Sequence, residues 1–109
     1  MSKEILYDSY YKAVPVTLDA ASFDNGIAEA GTLLVGDGAS VFDDRSVKVK
    51  GATASGSIDG VLMSDIDLSE GDATGSLVYK GTVWANKVND GNVTANVKSK
   101  LSGITFINK

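Results

Sequence analysis

Cysteine and histidine are both missing from this chain. Without cysteine there is no disulfide and no thiol nucleophile. Without histidine the commonest general base and the commonest metal ligand are gone. Carboxylates and lysines remain, so the two absences argue against an enzyme without forbidding one. No cofactor and no metal are expected. Proline and tryptophan occur once each. No run of about 18 apolar residues offers a membrane span. No cluster of Lys or Arg offers the concentrated positive charge that nucleic acid requires. The opening residues are polar and aromatic, without the apolar stretch of a signal peptide.

What is present fits one small domain. The chain has 109 residues, a mass of 11.3 kDa and a net charge of −4. Surface scaling gives roughly 5,700 Å² accessible when folded, against roughly 16,000 Å² for the open chain. The hydrophobic fraction is 43%, but much of it is Ala and Val, with only three Phe and one Trp as large anchors. So light a core favours association with copies of itself or with a larger partner.

Residues 1–12 read as a flexible N-terminal arm, and residues 13–109 as a compact β-rich domain. The arm has no helical period and carries Ile5, Leu6, Tyr7, Tyr10 and Tyr11. Tyrosine is cheap to immobilise and has both an apolar face and a hydroxyl, so these five are the candidate binding residues. Deleting residues 2–12 is expected to spare the thermal melt.

Beyond the arm, Val14–Leu18 reads as extended, with Pro15 confining it to an edge or a strand start. Asp24-Asn25-Gly26 and Gly36-Asp37-Gly38 are turns, and between them Ile27–Val35 leads into a strand whose clearest part is Gly31-Thr32-Leu33-Leu34-Val35. Val47-Lys48-Val49-Lys50 alternates, with lysines outward. Ile58–Ile66 reads as an apolar strand. Ser76–Val88 carries the strongest β signal, with a bulge or bend at Gly81. Asn89-Asp90-Gly91-Asn92 reads as a turn. Val93, Val97 and Leu101 share one face of a short helix. Asn92 is its expected cap, Lys98 and Lys100 lie near its negative end, and Gly103 is its expected stop. Ile104–Ile107 closes the chain as a strand. The expected fold is mainly β, with one short helix near the C-terminus.

Motifs for chemistry fail on spacing. From Asp65, an EF-hand loop would need Gly at its sixth place and a bidentate acid at its twelfth. Those places hold Glu70 and Ser76. Gly36-Asp37-Gly38 starts a phosphate loop, but Val41 stands where the third glycine belongs. Asp43 and Asp44 are chain neighbours, which does not make an acid–base pair.

Residues 60–88, GVLMSDIDLSEGDATGSLVYKGTVWANKV, resemble the central part of the phage lambda head decoration protein family. The likeness is one of order: Gly60-Val61-Leu62, an acidic stretch from Asp65 to Asp72, Leu77-Val78-Tyr79-Lys80, then Gly81-Thr82-Val83. The tail around Lys98, Lys100 and Gly103 is similar, and Gly31-Thr32-Leu33 resembles the strand that opens the compact domain. The resemblance implies a β-clip-like domain with a flexible arm. It implies a homotrimer on the outer surface of an expanded virion capsid, made in the host bacterial cytoplasm. The partner would be the major capsid protein, the role stabilisation against internal DNA pressure, and there would be no enzymatic activity. The competing expectation is another structural virion protein, a tail or head–tail joining component. A carbohydrate-binding module is disfavoured because Trp84, the lone Trp, lies in an apolar strand.

Overall fold

Alternation and glycine placement divide the chain into short strands, and the computed structural model shows how they join. It describes residues 5–23, 26–53, 55–91 and 93–107. The strands are β1 (Leu6–Leu18), β2 (Ile27–Ala28), β3 (Leu33–Gly36), β4 (Val49–Gly51), β5 (Gly60–Leu62), β6 (Ile66–Asp67), β7 (Ala73–Trp84) and β8 (Ile104–Ile107). One helix, α1 (Ala95–Lys100), precedes β8. Short 3-10 turns occupy Ala20–Ser22, Ala85–Lys87 and Asn89–Gly91. The protein is a small, mainly β single domain with one short helix near its C-terminus. Among the described residues no helix is long and apolar enough to cross a membrane.

Hydrogen bonding runs β1–β4–β3–β5–β7 and then returns from β7 to β1, closing a ring of five strands. Only the β1–β4 link is parallel, and it is a single register pair, Leu18 opposite Val49. Outside the ring, β8 lies parallel to the second half of β7, with Gly81 opposite Ile104 and Trp84 opposite Ile107. β2 and β6 form a separate two-stranded ribbon.

Consecutive strand residues point to opposite faces, and both faces are buried here. Leu34, Leu62 and Leu77 join Val16, Leu18, Val41, Val49 and Leu68 in one core. Their chain neighbours Leu33, Val61 and Val78 join Ile5, Val83, Val88, Val97, Leu101 and Ile104 in the other. The second core is roofed by α1 and its C-terminal cap, where Val97 and Leu101 are buried; Val93 packs alongside but lies ahead of the Thr94 cap, outside the helix expected to include it. Gly60 sits where the strands are closest: a Cβ there would run into the Leu77 side chain and the Val78 carbonyl. The accessible surface is 5965 Å², close to the scaling value.

Several boundaries differ from the sequence reading. The clearest part of the strand expected within Ile27–Val35 is β3, which starts at Leu33 rather than Gly31; the lead-in holds the short β2 and a turn at Ala30–Gly31, where Gly31 has φ +91° and donates to the Leu62 carbonyl. Within the apolar run Ile58–Ile66, expected as a strand centred on Gly60–Met63, β5 occupies that centre over Gly60–Leu62, and β6 begins at Ile66. The segment Asn89–Gly91 is a 3-10 turn, with Asn89 at φ 49°. Asn92, the expected helix cap, lies outside the described residues, and Thr94 caps α1 by accepting from the Val97 N–H at 3.3 Å. Leu101 is the C-terminal cap of α1, so Gly103 falls beyond the stop expected of it. Pro15 lies inside β1. Its carbonyl accepts from Arg45 Nη2 at 2.7 Å, on the edge of β1 away from β7, so the missing proline N–H costs no ladder bond there.

Candidate functional site

The candidate residues Ile5, Leu6, Tyr7, Tyr10 and Tyr11 all lie at the start of β1, against the second half of β7. Ile5 is fully buried in the second core, and its carbonyl accepts from the Trp84 N–H at 2.9 Å. Leu6 stands opposite Val83 and packs against the same core. The segment expected as an arm is therefore tied to the domain at Ile5 and Leu6 and again at Tyr11 and Lys12, while the register of the β7 ladder passes over residues 7–10 between them. The expected boundary at residue 12 falls on a register shift in the β1–β7 ladder, between Lys12 and Ala13. Residues 1–4 of that segment lie outside the described residues.

The tyrosines have a different setting. Between the pairs Leu6–Val83 and Tyr11–Gly81, β1 advances five residues while β7 advances two. The surplus lifts β1 away from the ladder and turns its tyrosines outward. Tyr7, Tyr10 and Tyr11 are 56%, 84% and 40% exposed. Tyr7 is steadied by an edge-to-face contact with Trp84, ring centres 5.4 Å apart. Trp84 is half-buried, shared between this contact and the strand.

Gly81 makes this seating possible. Its φ is +137°, and a Cβ there would lie 2.9 Å from Tyr11 Cβ and 3.0 Å from the Tyr10 carbonyl oxygen. The expected irregularity at Gly81 is thus real, and it extends to both sides. Between Lys12–Lys80 and Ala13–Val78, β7 carries one extra residue, Tyr79. Tyr79 is turned against Phe42 in a second edge-to-face pair, centres 5.2 Å apart. Phe42 itself is 48% exposed. Two open grooves result. One of about 360 Å³ is lined by Tyr10, Tyr11, Lys12, Lys80 and Gly81. One of about 250 Å³ lies between Phe42, Tyr79 and residues 100–103.

The acidic residues act locally. Asp65 accepts from the Ala30 N–H at 2.7 Å, closing the turn that splits β2 from β3. Asp67 accepts from the Ser69 N–H, which holds its carboxyl below the usual carboxylate range. Asp72 is also held low, first by the Lys48 ammonium at 2.6 Å and then by the Ala20 N–H. Lys48 is correspondingly raised by Asp72. Asp59 gathers Gly36 N–H, Ser40 Oγ and Val41 N–H at 2.8, 2.9 and 3.0 Å. Sequence reasoning passed over Asp59, because nothing local marks a carboxylate whose partners lie about twenty residues upstream. It also passed over Lys12 and Lys80, which become neighbours only through the β1–β7 register. Comparison with family models, with curated proteins and with solved structures returns no match.

Proposed function

We propose that the protein is a bacteriophage head decoration protein, bound as trimers to the outside of an expanded capsid and stabilising it against internal DNA pressure. The observation that carries this reading is the exposed tyrosine face at the start of β1. Three tyrosines are offered to solvent by a strand whose neighbours Ile5 and Leu6 are packed in the domain. Exposed large aromatics on a firm backbone bind at little entropic cost. The order of motifs across residues 60–88 points the same way. The major capsid protein is then the partner, and Tyr7, Tyr10 and Tyr11 are its contacts, with Ile5 and Leu6 holding them in place. A thin core gains from threefold contact between protomers.

Sedimentation tests the reading. The purified protein is mixed with expanded and with unexpanded capsids that lack it. It should travel with expanded capsids, in a number matching their threefold and quasi-threefold positions. No co-sedimentation overturns the reading, and a few copies at a single vertex would assign the chain to head–tail joining.

A further inference from the structure

We propose that the groove between Tyr10, Tyr11, Lys12, Lys80 and Gly81 is a docking site for an extended acidic peptide segment. Lys12 and Lys80 stand directly opposite each other on antiparallel strands, and both are exposed. Like charges at directly opposed positions repel, at a cost to the sheet. The lysines of the β4 region are placed otherwise: Lys48 pairs with Asp72 at 2.6 Å and Lys50 with Asp37 at 3.5 Å. Neither Lys12 nor Lys80 has an ion pair among the described residues. A carboxylate set between the two ammonium groups would remove their repulsion and gain two charge-assisted bonds.

The rest of the groove fits a peptide better than a free ion. Tyr10, Tyr11 and Gly81 line it beside the two lysines and its surface is mostly apolar, so aliphatic side chains flanking a carboxylate find apolar contact. Among the described residues, β1 meets β4 only at Leu18. The edge of β1 away from β7 thus has no strand partner before Leu18 among the described residues, so an extended chain can join it by main-chain hydrogen bonds. In a protein of net charge −4, this cationic notch selects against its own surface and for an acidic partner. Assigning the segment to the capsid shell rests on the proposed function, whereas the chemistry of the groove does not.

The test is a titration of isotope-labelled protein with a capped octapeptide of alternating Glu and Val, followed by NMR. Alternating Lys and Val, and octathymidylate, serve as comparisons. The Glu–Val peptide should shift residues 10–12 and 80–81, and its affinity should fall about tenfold between about 20 and 300 mM salt. Lys80→Glu should abolish the shifts while raising the melting temperature of the free protein, because it converts a repulsive pair into an attractive one. Lys80→Gln should weaken binding without lowering the melt. Equal binding of the Lys–Val peptide, shifts elsewhere, or none at all would overturn the proposal. Stronger binding of octathymidylate would also overturn it, by making this a single-strand nucleic-acid site. Capsid binding with no peptide binding would sink the groove and leave the decoration role standing. Peptide binding with no capsid binding would do the reverse.

Discussion

Asp59 ties together the loop that follows β3. Two backbone donors and one hydroxyl from residues 36–41 converge on its carboxylate, and this seats Val41 in the core. Asp59→Ala should cost about 2 kcal/mol in urea unfolding, the scale for losing hydrogen bonds to a charged acceptor. The neighbours Ile5 and Tyr10 should behave oppositely. Ile5→Ala opens a cavity in a closed core and should cost about 2–4 kcal/mol. Tyr10→Ser should stay within about 0.5 kcal/mol, because the ring is 84% exposed. The pH dependence also belongs to single residues. Asp44, Asp67 and Asp72 are held low in the folded state, Asp44 through the Ser46 hydroxyl and N–H. The stability they contribute is present above their unfolded value of about 4 and is lost as pH falls through the lower folded one. Lys48 is raised, so its contribution is present below about pH 10 and is lost as pH climbs through its folded value. With no histidine in the chain, urea midpoints should be flat between about pH 5 and 9 and fall outside that range. A sharp step near neutrality would contradict this.

Among the elements, α1 shows how little local structure stands alone in this protein. Six residues are too few for an isolated helix, so α1 depends on Val97 and Leu101 in the core and on the Thr94 cap. Thr94→Ala should lower stability by about 1 kcal/mol, read by thermal melting. β1 raises the opposite question. With Ile5 and Leu6 packed against Val83 and its neighbours, deletion of residues 2–12 should lower the melting temperature markedly, where the sequence alone predicts a change of a few degrees at most. The reason lies in the pattern. β1 departs from period-two alternation because its surplus residues between Leu6 and Tyr11 interrupt the ladder, so the segment reads as irregular. The buried spacing Val97, Leu101, the outward Lys48 and Lys50, and the strand at 104–107 were legible, since each follows one uninterrupted period; Val93 shares that spacing but stands before the Thr94 cap. The break at Gly31 was not: it depends on a long-range bond to Leu62 and a carboxylate from Asp65, neither of which has a local signature. The candidate tyrosines were legible by type, but their groove was not, because Lys12, Lys80 and Gly81 meet only through pairing.

At the scale of the molecule, the tyrosine segment is attached to the closed ring at two places, Leu6–Val83 and Tyr11–Gly81. β7 is shared by β1, β5 and β8, so the strand beneath the groove belongs to both cores at once. Tyrosines held at both ends of the segment but outside the two cores offer their side chains to a partner and contribute little to the fold. This placement predicts that capsid binding and folding stability separate on mutation. Tyr10→Ser combined with Tyr11→Ser should leave the melt nearly unchanged and abolish co-sedimentation with expanded capsids. An electron cryo-microscopy reconstruction of expanded capsids saturated with the protein tests the decoration role most directly. It should show the protein as trimers at the threefold and quasi-threefold positions of the outer surface, with the start of β1 turned toward the shell. Bare threefold positions, or a shell contact made through the opposite end of β7 around Glu70 and Asp72, would contradict it.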